Sequence, residues 1–229
     1  MKVNKKQATE PFTCVGSSIK DVPAPRVAQA AWAALCRFRN SKTNEARPAL
    51  ATLATMCRVS AKTVRNAITD LEELGLVSVQ YHHMSCCVYT LKFDKNRYFT
   101  IPNRVFDTDI PTIAKVYWME LCSFAKAKYE CYRNRKNAAK ACGMSLSSVD
   151  RARRKLEELG IIGVDAQVSS QGCNVANRFV LLLRCGTAAL SARAAELVQK
   201  YAVKYEEKRR NRFFFTQNNR ISVLHYPRT

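Results

Sequence analysis

Residues 54–77 read ATMCRVSAKTVRNAITDLEELGLV, and residues 139–162 read AKACGMSLSSVDRARRKLEELGII. At an offset of 85 residues the two align without a gap and share ten of 24 positions: Ala54/Ala139, Cys57/Cys142, Ser60/Ser145, Val64/Val149, Ala67/Ala152 and the five residues of LEELG. Other positions exchange within a class, as in Val59/Met144, Leu76/Ile161 and Val77/Ile162. Stacked-repeat proteins have periods of roughly 20–50 residues. A period of 85 therefore indicates one small domain present twice.

The flanking sequence builds each copy outward. In the first, Val27, Ala30, Ala31, Ala34, Leu35 and Phe38 fall on one face of a helix. The polar stretch RNSKTNEA follows, and Pro48 suits the first turn of a second helix over residues 49–57. RVS is a tight turn, and Ser60 is a good N-cap for a third helix with Val64, Ala67, Ile68, Leu71 and Leu74 inward. Gly75 stands where a left-handed C-terminal cap is needed. LVSVQYHH and CCVYTLKF, rich in β-branched and aromatic residues, read as a hairpin.

The second copy supplies the same parts. Ile113, Val116, Tyr117, Leu121 and Phe124 mark its first helix, NRKNAAKAC its second, GMS the turn, and Ser147–Leu159 the third, capped by Ser145. IIGVDAQV and NRFVLLL are its strands, joined by SSQGCNVA with Gly172 near the tip. RYFTIPNRVF links the copies as an extended segment without a Gly or Ser run, which predicts a fixed domain–domain geometry. The expected division is a mobile basic arm (1–21), two domains (22–95 and 96–186) and a basic tail (187–229). In the tail, Leu190, Ala194, Leu197, Val198, Tyr201 and Tyr205 share one side of an amphipathic helix, and Lys200, Lys204, Lys208 and Arg212 form a stripe along another. That helix would pack on the second domain, form a homodimer contact or track phosphates.

Charge narrows the partner. Lys and Arg outnumber Asp and Glu by 38 to 18, a formal net charge of +20. Such a chain repels itself and gains most on meeting a polyanion, nucleic acid first among them. No apolar run approaches the roughly 18 residues of a membrane span, and no signal-peptide core is evident. A cytoplasmic protein without membrane contact is the expectation. The ten cysteines are scattered with no C-x-x-C pair, so reduced thiols are the default, with Cys57 and Cys142 as small buried groups. HHMSCC (82–87) reads as strand, turn and strand rather than a metal site. Neither a phosphate-binding glycine loop nor H-E-x-x-H occurs, so neither enzymatic activity nor a cofactor or metal is expected.

Three helices followed by a hairpin resemble the winged helix, a variant of the helix-turn-helix, on the strength of the quoted motif and its second copy. The fold class expected is mainly α with small β-hairpins, an α+β arrangement of two tandem winged-helix domains plus the C-terminal helix. The resemblance implies that the third helix enters the major groove of double-stranded DNA with its N-terminal half toward the bases. Its outward positions are Ala61, Lys62, Arg65, Asn66 and Thr69 in the first copy and Leu146, Ser147, Asp150, Arg151 and Arg154 in the second. Arg65 matches guanine and Asn66 adenine in hydrogen-bonding geometry. Thr63 and Ser148 suit capping or phosphate contact, and an Asp150–Arg154 pair at i, i+4 is the plain reading of that acid. Arg133, Arg135, Lys136 and Lys140 form a second basic cluster suited to phosphates, as do His82, His83, Gln171, Asn174, Asn177 and Arg178 around the hairpin tips.

The inward residues of the two copies agree while the outward ones differ, so different base sequences are expected at the two. Over residues 25–185 the architecture resembles plasmid and phage replication initiators. That resemblance implies origin binding and recruitment of a host helicase or helicase loader. A transcriptional regulator, a replisome or segregation adaptor and an RNA-binding protein are the alternatives.

Overall fold

The computed structural model describes residues 11–81, 87–125, 130–165 and 177–181. The described chain opens on β1 (Phe12–Gly16) and a 3-10 turn (Ser17–Lys20). The first copy follows: α1 (Arg26–Phe38), β2 (Glu45–Ala46), α2 (Leu50–Cys57), α3 (Ala61–Glu73), β3 (Val77–Gln80) and β4 (Val88–Leu91). β5 (Tyr98–Pro102) and a single helical turn, α4 (Arg104–Asp107), lead to the second. It comprises α5 (Thr112–Ala125), β6 (Glu130–Arg133), α6 (Arg135–Ala141), α7 (Leu146–Glu158), β7 (Ile162–Asp165) and β8 (Asn177–Leu181).

Each copy has a three-stranded antiparallel sheet of the same order, β2-β4-β3 in the first and β6-β8-β7 in the second. The outer strand before the second helix lies within what reads as polar sequence. Glu45 and Ala46 alternate half-buried and buried, too short a run for the period to show.

The local signals behave as their chemistry requires. Ser60 Oγ accepts from the Thr63 amide at 3.1 Å, and Ser145 Oγ from the Ser148 amide at 3.3 Å. Gly75 and Gly160 both take φ of 66° after the third helix. In the turn between second and third helices, Arg58 (φ 54°) and Gly143 (φ 58°) occupy equivalent left-handed positions. A β-carbon at Gly143 would meet nothing within 4 Å, so only the backbone penalty applies there. Gly143→Ala is therefore expected to lower unfolding stability by about 1 kcal/mol, measured by urea titration, with no loss of packing. Pro48 precedes the N-cap residue Ala49 rather than entering the first turn of α2.

Two expectations need correction. The segment read as a mobile arm is, from Phe12 to Lys20, part of the fold. β1 pairs antiparallel with β5, with Thr13 opposite Ile101, and Val15 and Ile19 are buried. Five residues whose partner strand lies 86 positions away carry no local signal of pairing. The first helices are also not simply amphipathic. Ala28–Cys36 are buried without interruption in α1, as are Ala114–Cys122 in α5, because each helix packs on its own copy, on the other's first helix and on β1 or β5. Phe38 and Phe124, expected inward, stand at helix ends and are 40% and 48% exposed. The Arg133 guanidinium covers the Phe124 ring at 4.0 Å.

The two copies meet through α1 and α5, and the contact is reciprocal. Lys115 Nζ on α5 donates to the Met56 carbonyl at the end of α2, at 2.5 Å. Gln29 Nε2 on α1 donates to the Ala141 carbonyl at the end of α6, at 3.3 Å. Met56 and Ala141 are equivalent under the 85-residue offset, and the donors fall one position apart under it. First helix to second helix in both directions is the signature of a two-fold contact between like units. On one side it is reinforced by Thr112 Oγ1 donating to the Cys57 carbonyl at 2.6 Å and by the Arg58–Asp109 ion pair. Burial lowers the Lys115 pKa, while the carbonyl end of α2 is a favourable place for a cation. The fixed geometry expected of the connection thus has a physical basis in this seam.

Burial pushes the thiols of Cys36, Cys57, Cys131 and Cys142 from 9.0 up to about 12. Thiols raised on folding contribute stability that is complete below pH 9.0 and is lost as pH rises toward about 12. Melting temperature should fall between about pH 8 and about pH 10.5, and less so after Cys57→Ala, when normalised to each protein at about pH 7. An identical fall in both would contradict this.

Candidate nucleic-acid interface

α3 is held by Val64, Ala67, Ile68 and Leu71, all buried, so its opposite side is fixed in orientation. That side presents Ala61, Lys62, Thr63, Arg65, Asn66 and Thr69, every one exposed. The Thr63 hydroxyl lies 2.8 Å from Ser60 Oγ, and Thr69 Oγ1 donates to the Arg65 carbonyl at 3.3 Å, so both hydroxyls are engaged within the helix. Lys62 and Arg65 form no ion pair among the described residues. Asp70, Glu72 and Glu73 follow them, so the N-terminal half of the helix is cationic and the C-terminal half anionic. Glu72 accepts from the Val79 amide at 3.1 Å and ties the helix to β3.

α7 repeats the plan on Val149, Ala152 and Leu156. Leu146, Ser147, Arg151 and Arg154 are exposed, and Ser148 is half-buried with its hydroxyl 3.0 Å from Ser145 Oγ. Arg151 and Arg154 are in no ion pair among the described residues, whereas Arg153 pairs with Glu157 and Lys155 with Glu158 along the helix. The free cations of each third helix are thus those on its outer side.

Three of the residues read as phosphate ligands are already committed. Arg178 is 3% exposed, and its Nε and Nη2 donate to Glu130 at 3.1 and 2.6 Å, so it holds β8 to β6. Arg133 donates to the wholly buried Glu120 at 2.5 Å. Arg135 pairs with Asp150 at 2.9 Å, bridging α6 to α7, and the expected Asp150–Arg154 pair is not formed. The i, i+4 spacing gave no hint of this because the bridging partner lies on a neighbouring helix. Lys136 and Lys140 remain exposed and unpaired among the described residues. Asn177 is half-buried in β8, while His82, His83, Gln171, Asn174 and the helix expected in 187–229 lie outside the described residues.

Sequence reasoning passed over two exposed side chains. Tyr81, at the end of β3, is 72% exposed, and Tyr132, on β6, is 58% exposed. An aromatic that breaks the inward alternation of a hairpin strand is the available signal, visible for Tyr81 once the register is set.

Residues 28–77 and, again, residues 108–162 match the family described as Helix-turn-helix domain. No curated protein matches the chain. Two helix-turn-helix domains in tandem suggest double-stranded DNA as the partner. Among the described residues no helix is long and apolar enough to cross a membrane, and no group of three or more His, Cys, Asp or Glu is placed to hold a metal ion.

Proposed function

We propose that the two units are winged-helix domains that read one DNA duplex together, and that the chain acts as a replication initiator of a plasmid, phage or other mobile element. The observation that carries this reading is the reciprocal seam. Lys115 on Met56 and Gln29 on Ala141 hold two helix-turn-helix units about an approximate two-fold axis, with unlike outer residues on their third helices. A two-fold pair calls for half-sites in inverted orientation, as in dimeric repressors. Unlike outer residues call for half-sites of different sequence. Lys62, Arg65 and Asn66 serve the first half-site and Arg151 and Arg154 the second, with Thr63, Ser147 and Ser148 supporting the helix starts and Thr69 on the outer side of α3. Lys136 takes a backbone phosphate. Arg135 contributes through its bridge to Asp150, and Arg178 supports the sheet instead of touching DNA.

A chain of this kind joins two specificities in one polypeptide and has no need of a second subunit to recognise an asymmetric site. That suits a protein which must mark one direction at an origin and recruit a helicase or its loader to one side. The test is functional. A circular DNA carrying this gene and the selected binding site, with no other origin, should be maintained in a bacterial host and lost when Arg65 and Arg151 are both replaced by alanine. Failure to replicate, together with promoter repression by the bound protein, would make the chain a transcriptional regulator.

A further inference from the structure

A cavity of about 490 Å³ opens at the seam between the copies, beside the Gln29–Ala141 contact. Its walls come from the loop before α1 (Val22, Pro23, Ala24), from Lys20 and Arg133, and from the end of α6 and its turn (Asn137, Lys140, Gly143). That volume lies in the range of small-molecule sites, roughly 300–1,000 Å³.

Its charge is unbalanced. Lys20, Arg133 and Lys140 converge on it, and Glu120, wholly buried, is shared by Lys20 and Arg133, while no acid is among the residues that line it. Lys140 has no ion pair among the described residues. Arg133 Nε is buried without a hydrogen-bond partner. Val22, Pro23 and Ala24 add an apolar part to its lining.

We propose that this cavity binds a small phosphorylated molecule, its phosphate between Lys20, Arg133 and Lys140 and its less polar part against Val22–Ala24. The site joins the N-terminal segment to the second copy, so the ligand clamps the two units in the geometry described above. The inference stands on the cavity and its charge and does not require the DNA reading.

Pyrophosphate is the probe, followed by isothermal titration and thermal melting of the full chain. Lys140→Glu reverses an exposed charge in the cavity, and Lys95→Glu reverses an exposed one outside it. Neither removes a partner of Glu120. Pyrophosphate should bind at one site per chain and raise the melting temperature. Lys140→Glu should weaken it by about tenfold or more, the loss of one charge-assisted contact, and Lys95→Glu by less than about twofold. No binding, or equal weakening by both substitutions, overturns the proposal. The source of the phosphate is settled by repeating the titration with a saturating duplex. Binding that persists supports a free small molecule, whereas binding abolished by the duplex places a DNA phosphate in the cavity and overturns the free-ligand assignment.

Discussion

Replacing Glu120 by glutamine is expected to lower unfolding stability by about 3 kcal/mol or more, and with it the melting temperature by about 10 °C. Glu120 has no solvent exposure and lies on α5 among apolar residues. It accepts from Lys20 through Oε2 and from Arg133 through Oε1. Those cations keep only 20% and 16% of their side-chain surface exposed, so neither regains full hydration when the carboxylate is neutralised. Removing one member of a buried ionic group leaves the others uncompensated, which is far costlier than never having had the group. The first copy shows the alternative: with Trp32 set on Trp118, Leu35 on Leu121 and Cys36 on Cys122, the uncharged Ala34 stands at the position equivalent to Glu120. A triple replacement, Lys20→Met, Glu120→Leu and Arg133→Met, should therefore be more stable than Glu120→Gln alone. A loss below about 1 kcal/mol for Glu120→Gln in urea titration would show that water reaches the group. The N-terminal segment would then contribute less than the Lys20 contact implies.

The second large effect concerns binding. Arg65→Ala with Asn66→Ala should weaken specific DNA affinity by about 2–6 kcal/mol, each side chain carrying roughly 1–3 kcal/mol of base discrimination. Fold stability should change by no more than about 0.5 kcal/mol, the range for exposed sites away from special features. Both residues are exposed and Arg65 forms no ion pair among the described residues. Arg178→Ala should do the reverse, destabilising the second sheet by stranding Glu130 and altering affinity only through folding. Fluorescence anisotropy on one labelled duplex, beside urea titrations, separates the two behaviours.

The parts legible in the sequence were those written locally. Ser60 and Ser145 cap because a hydroxyl three residues before an amide makes that bond wherever the helix lies. The inward faces of α3 and α7 were legible because each helix buries one side only. α1 and α5 were read in part, since burial on several sides erases the period that marks a face. β1 and the Lys20–Glu120 contact were not legible at all, because their partners lie 86 and 100 residues away. At the candidate interface the exposed members of α3 and α7 were found by subtracting the core face. The acids that engage Arg178, Arg133 and Arg135 were not legible, because composition records a charge and not its counter-charge, and each acid lies on another element. The seam escaped notice because Gln29 and Lys115 look like ordinary polar interruptions of apolar helices. Only with coordinates do both prove to donate to equivalent carbonyls.

The central claim is that two unlike helix-turn-helix units, related by an approximate two-fold axis, read one duplex at once. Selection of bound duplexes from a random pool at about physiological salt, where phosphate-only binding weakens, tests it most directly. The expected product is a two-part motif with dissimilar, inverted halves about one helical turn apart. Arg65→Ala should blur one half, and Arg151→Ala the other. A single short motif indifferent to Arg151→Ala, or no motif with binding that vanishes as salt is added, would contradict the claim.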